Sequence, residues 1–363
     1  MREPSIETDP DKLSASWINE HLIDGDGPDL VETVNTTPIG TGQLARTVRI
    51  GLGFAQQNTS LPDSLVGKFP SENKTSLETA IAGGLYRNEV GFYRDIKPHL
   101  SIRTPECYHA EIDDSGSAFT LLLEDLSLAS PGDQIAGCDP SIAKAAVLEL
   151  AGLHAPTWGK PELRQLNWMR PADAPAQTDQ NLMLFQQNLP GFLDRFEDTL
   201  DAETVETFEQ VVVQRSYSEL FGKHSQVCLI HGDYRLDNLL IDTSTKPVSI
   251  CTVDWQTVAP GNPMLDVALF VGGGLLPEAR RVHEETIVRE YHERLRSLGV
   301  TDYNWHRCWN DYRLATFTGF MTAVNAAMMT VRTTRGDELF NTMAHRHAQH
   351  ALDLDAQALL DKT

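Results

Sequence analysis

The run His231-Gly232-Asp233-Tyr234-Arg235-Leu236-Asp237-Asn238, followed by Val253-Asp254-Trp255-Gln256, constrains this chain more than any other feature. β-rich stretches at 227–230, 238–241 and 248–253 frame it. One loop thus carries a carboxylate, Asp233, and an amide, Asn238, five positions apart, and a second carboxylate, Asp254, follows sixteen positions later. Phosphoryl transfer is mostly positioning and charge neutralisation. It needs a carboxylate to receive or orient a hydroxyl and hard oxygen ligands for Mg²⁺. Asp233 is the candidate catalytic residue, and Asn238 and Asp254 the candidate metal ligands. An ordinary turn explains Asp and Asn on a loop, but not the Asp254 that follows in order.

The remaining chain sets the frame. Its 363 residues suffice for two lobes with separate cores. The 51 acidic against 30 basic residues give a formal charge of -21, which excludes the basic footprint that nucleic acid demands. Cys107, Cys138, Cys228, Cys251 and Cys308 form no Cys-x-x-Cys pair and are odd in number, so reduced thiols and a cytoplasmic setting are expected. The start, Met1-Arg2-Glu3-Pro4, lacks the pattern of a signal peptide, and the longest apolar stretch, 267–276, is too short to span a bilayer. No membrane partner is expected, and composition leaves the oligomeric state open.

A short helix is expected over 11–23, then strands at 30–39, 45–52 and 64–69, a helix over 76–94, and strands near 106–112 and 118–123. Beyond Leu126 the character turns helical, at 141–154, 191–222, 279–298, 303–333 and 336–361, with 155–190 reading as irregular. The expected domains are therefore 1–126, sheet-based, and 127–363, mostly helical.

Together with Gly261-Asn262-Pro263 leading to Asp266-Val267-Ala268, these motifs resemble the aminoglycoside phosphotransferase and choline kinase-like superfamily, which shares its catalytic core with the protein kinases. The resemblance covers roughly residues 30–275 in order. It implies an α+β, protein kinase-like fold with a small antiparallel-sheet N-lobe and a large helical C-lobe. It implies an enzyme that moves the γ-phosphoryl group of ATP, with GTP as the alternative donor, to a hydroxyl of a small molecule with Mg²⁺. Gly40-Thr41-Gly42 resembles the loop that covers the nucleotide, where glycines let backbone N–H groups approach phosphates. Lys68 is similar to the strand lysine that reaches the phosphates, and Glu89, with Glu78 as rival, to its helix carboxylate. Glu124, Asp125 and Leu126 resemble the hinge whose backbone meets the base. Asp266 resembles the residue that accepts N–H bonds from the catalytic loop, and His154 a residue packed near it.

Tyr234-Arg235 is more like broad bacterial branches, including those allied to kinases of hydroxylated acyl chains and to ecdysteroid kinase-like proteins, than like antibiotic-modifying members. Asp254-Trp255-Gln256 stands where protein kinases have Asp-Phe-Gly, and no Ala-Pro-Glu segment follows. A kinase-like module that holds nucleotide without catalysis is the alternative, and the presence of both Asp233 and Asp254 disfavours it.

Overall fold

The computed structural model describes residues 6–23, 30–40, 44–55, 61–160, 162–163, 166–169, 177–214, 216–221 and 227–362. The chain divides into two compact units: Met1–Leu100, Thr104–Leu128 and Val253–Val258 form one, and Ser101–Arg103, Ala129–Thr252 and Ala259–Thr363 the other. The first unit thus takes back six residues from the later half. They are held there by the stacking of Trp255 on Phe92, with ring centroids 3.7 Å apart.

In the first unit, α1 (Ala15–Leu22) precedes strands β1 (Val31–Pro38), β2 (Ala45–Phe54) and β3 (Ser64–Pro70). Helices α2 (Lys74–Ala82) and α3 (Leu85–Gly91) follow, then β4 (Cys107–Ile112) and β5 (Phe119–Glu124). The strands form one antiparallel sheet in the order β1-β2-β3-β5-β4. Alternation along β3 buries Leu65, Gly67 and Phe69. Leu65 and Phe69 join Leu13, Trp17 and Ile18 from the α1 segment in one apolar core. Lys68, one position out of step, is thereby turned to the other face. β5 is buried on both faces from Phe119 to Leu123, as suits a run of apolar residues between β3 and β4.

The helix expected over 76–94 is two. Gly83-Gly84 interrupts it, and Gly84 adopts φ +67°, a left-handed turn that a glycine takes at little cost. The second piece ends in a π-turn over Phe92–Ile96.

The second unit holds β6 (Ser130–Pro131), α4 (Pro140–Thr157), α5 (Gln177–Arg195), α6 (Ala202–Val212), β7 (Cys228–Ile230), β8 (Leu239–Asp242), β9 (Ser249–Thr252) and β10 (Ala259–Gly261). It continues through α7 (Met264–Gly274), α8 (Pro277–Ser297), α9 (Trp305–Ala315), α10 (Phe317–Met329) and α11 (Thr334–Asp353). Every residue of α7 is buried, and α4, α8, α9, α10 and α11 all pack against it. Two small sheets, β7 with β10 and β6-β8-β9, frame the 231–238 loop. The segment expected to be irregular carries α5, whose polar Gln and Asn content and internal Pro190 hide its period. The single helix expected over 303–333 breaks at Thr316, whose hydroxyl donates to the Arg313 carbonyl at 2.7 Å. Among the described residues no helix is long and apolar enough to cross a membrane.

Candidate active site

In the second unit the chain leaves β7 and turns at Gly232, φ +83°, where a side chain would be strained. The turn presents two consecutive backbone N–H groups to one buried carboxylate. His231 N–H donates to Asp266 Oδ2 at 2.6 Å and Gly232 N–H to Oδ1 at 2.9 Å. Charge-assisted bonds of this kind are strong where water is excluded. His154 Nε2 lies 3.3 Å from the same Oδ2, and its Nδ1 lies 2.6 Å from the Tyr291 hydroxyl. Tyr234 is fully buried and its hydroxyl donates to the Ala146 carbonyl at 2.8 Å, pinning the loop to α4.

These anchors leave Asp233 half-buried between two partners. Asn238 Nδ2 donates to its carbonyl at 2.8 Å and to Oδ2 at 2.9 Å. Arg235 Nε lies 3.1 Å from both carboxylate oxygens, and the same guanidinium pairs with Asp237. Burial opposes the charge on Arg235, yet Asp233 and Asp237 outweigh it and raise its pKa.

In the first unit, Lys68 Nζ lies 2.5 Å from Glu89 Oε1 and 3.3 Å from Asp254 Oδ1. Side-chain exposure is 13% for Lys68, 1% for Glu89 and 41% for Asp254, so Asp254 is the most exposed of the trio. Burial acts against the ammonium, but the charges of Asp254 and Glu89 prevail and the Lys68 pKa is raised. Glu89 is also raised: burial pushes its carboxyl up, Lys68 pulls it down, and Asp254 adds to the rise. Gln256 Nε2 donates to Glu89 Oε2 at 3.3 Å, and Asn88 Nδ2 donates to the Gln256 carbonyl at 2.9 Å. Asp254 itself holds φ +67°, a region that a non-glycine residue enters at a cost of about 1 kcal/mol.

A family model described as the ecdysteroid kinase-like family matches residues 42–301, most of the chain. The chain belongs to the ecdysteroid kinase-like family. Solved structures agree on the fold. Choline kinase from Cryptosporidium parvum superposes with TM-score 0.57 at 11% identity, covering 95% of this chain and 96% of that one. Plasmodium vivax ethanolamine kinase gives 0.52 at 11%, over 87% and 82%. The GDP complex of wild-type aminoglycoside 2'-phosphotransferase-IIIa gives 0.52 at 12%, over 92% and 96%. The chain thus has the α+β, protein kinase-like fold that these choline kinase, ethanolamine kinase and aminoglycoside phosphotransferase structures share. Among curated proteins, the uncharacterized oxidoreductase dhs-27 of Caenorhabditis elegans is 22% identical over 319 residues, a match that takes in 79% of this chain. The chain spans only 38% of that protein's length.

Within this ecdysteroid kinase-like chain the other expected positions fall as follows. Gly40 is left-handed, φ +73°, at the end of β1, while Thr41 and Gly42 lie outside the described residues. Glu78, the rival to Glu89, is exposed on α2 and faces Lys74 at 3.8 Å. Asp125 accepts from Arg49 Nε at 2.7 Å and Ser64 Oγ at 2.8 Å, and Glu124 accepts from the Glu106 N–H at 3.2 Å. These carboxylates therefore brace the end of β5 against its neighbours. Sequence reasoning missed Asn88 and Gln256, which tie Glu89 to the Asp254 segment. The Gln256 side chain meets Glu89 across 167 positions, and no local pattern signals such a pair.

Proposed function

We propose that this protein is a small-molecule kinase, transferring the γ-phosphoryl group of ATP to a hydroxyl of an organic acceptor. The observation that carries this reading is Lys68 held between buried Glu89 and half-open Asp254. Lys68 is the phosphate-holding cation, fixed in aim by Glu89 and its Gln256 brace. Gly40, Thr41 and Gly42 cover the phosphates, and the backbone of Glu124, Asp125 and Leu126 meets the base.

The donor set fits Mg²⁺. Asn238 turns its Nδ2 onto Asp233, which leaves Oδ1 as a hard ligand, and Asp254 offers an accessible carboxylate. The chemistry a bound Mg²⁺ supplies is charge neutralisation at the phosphates. Asp233 receives the hydrogen bond of the acceptor hydroxyl and takes its proton as transfer proceeds. Its orientation is inherited from Asp266 and Asn238, which immobilise the loop before substrate arrives.

The family name and the choline and ethanolamine kinases among the solved relatives indicate the classes of acceptor to try: hydroxylated steroids and amino alcohols. The formal charge of -21 favours a cationic alcohol, whereas the aromatic residues of α9 favour a steroid or acyl chain. ADP release from Mg-ATP across amino alcohols, aminoglycosides, sugars, steroids and hydroxyacyl thioesters tests the reading, with Asp233→Ala as blank. Stimulation by one class, lost in the variant, is expected. Silence across the panel, or stimulation that survives in the variant, contradicts it.

A further inference from the structure

Gln134 is a buried polar residue in the short turn that follows β6, and the turn lies directly under the 231–238 loop. Its side-chain Oε1 accepts the Leu236 N–H at 2.9 Å, and its own backbone N–H donates to Asp237 Oδ1 at 3.1 Å. Asp237 in turn pairs with Arg235, whose Nε holds both oxygens of Asp233. A continuous set of bonds therefore runs from Gln134 to the carboxylate. On the other side, Arg346 of α11 donates to the carbonyls of Gln134 at 2.9 Å, Ile135 at 2.7 Å and Gly273 at 2.9 Å, locking the turn to α7. Gly132 completes the close approach: a Cβ there would meet the Leu236 carbonyl oxygen at 2.5 Å.

The amide orientation of Gln134 is dictated, because Oε1 must face the Leu236 N–H. Its Nε2 then points away from the loop, is fully buried, and has no partner among the described residues. The same is true of both ring nitrogens of His347 on α11. Gln134 Nε2 and His347 Nε2 converge on one face of Gly273, where any Cβ would collide with the amide. A Cβ at Gly272 would collide with His350 Nδ1 and meet His347 Nδ1 at 2.6 Å, and one at Gly319 would collide with His347 Nδ1. A neutral imidazole nitrogen can accept from an amide, directly or through one water. Two unmatched polar groups buried side by side are costly unless they meet.

We propose that Gln134 is a positioning residue: it sets the 231–238 loop, and through Asp237 and Arg235 the aim of Asp233, from a seat backed by His347. The assignment rests on the phosphotransferase reading above. The test compares the full chain with Gln134→Met, which keeps length and the backbone bond to Asp237 but loses the side-chain acceptor for Leu236 N–H, and Gln134→Glu, which keeps that acceptor. Measured are ATP turnover, with the best acceptor or water, the KM for ATP, and backbone amide exchange at 236–237. Gln134→Met is expected to lower kcat by about ten-fold or more with the KM for ATP within about two-fold, and to speed exchange at 236–237. Gln134→Glu is expected to recover kcat to within about three-fold of the parent. A Gln134→Met kcat within about two-fold of the parent, or a Gln134→Glu variant as impaired as Gln134→Met, overturns the assignment. If the parent chain turns over no ATP at all, the phosphotransferase reading fails, and exchange alone decides. Unchanged protection at 236–237 in Gln134→Met then overturns the positioning role as well.

Discussion

Asp266 and Asp254 are both carboxylates on the path out of the 231–238 loop, yet their surroundings give them opposite dependence on water. Asp266 is wholly buried and accepts two loop N–H groups, so Asp266→Ala strands both donors. Each stranded donor costs about 1–3 kcal/mol, and urea unfolding should show a loss at the sum of the two. Asp254 is open and left-handed, a conformation that Asn tolerates as well as Asp. Asp254→Asn should therefore cost less stability in urea unfolding than Asp266→Ala, losing only the charge beside Lys68, while abolishing Mg²⁺-dependent nucleotide binding, measured by calorimetric titration. Residue identity and order single out Asp233, Asn238 and Asp254 as candidates, because the proposed chemistry demands those types at those spacings. Gln134, Asn88 and Gln256 were not legible, since an amide in a polar turn or helix carries no signal until its distant partner is known.

At the scale of elements, the α2–α3 break governs where Glu89 lies. A continuous helix over 76–94 would carry Glu78 and Glu89 on one rigid rod. The left-handed Gly84 instead starts α3 afresh, and α3 brings Glu89 to Lys68 while Glu78 stays in solvent. Nothing lies within 4 Å of a Cβ at Gly84, so Gly84→Ala meets only the backbone penalty. A loss of about 1 kcal/mol in urea unfolding is expected, with the nucleotide KM rising as α3 shifts. The strands were readable because β-branched and apolar alternation is local and strong in β2 and β3. The helices of the second unit were readable in existence but not in extent. Thr316 ends α9 without a proline or glycine to announce it, and the polar surface of α5 masks its buried Leu182, Phe185 and Leu189.

For the whole molecule, acid sensitivity should arise from α11. Burial first, then the nearby charges of His350, Arg280 and Arg346, hold His347 well below its ordinary pKa of 6.5. His350, buried beside Glu284, is lowered too, with burial again the main cause. Below pH 6.5 the unfolded chain therefore binds protons that the folded chain refuses, and stability falls as pH falls. One such histidine contributes a slope of up to about 1.4 kcal/mol per pH unit. His347→Leu should flatten the stability profile below pH 6.5 by about that amount, read from urea unfolding at a series of pH values.

The proposed role of Asp233 is chemistry and not the holding of nucleotide. It is tested most directly by measuring Mg-ATP affinity and ATP turnover side by side in the parent chain and in Asp233→Asn. Asn keeps the size and the loop geometry but cannot take the proton. An unchanged nucleotide Kd is expected, with turnover reduced by about 10²-fold or more. Turnover retained in Asp233→Asn, with the nucleotide still bound, would contradict it.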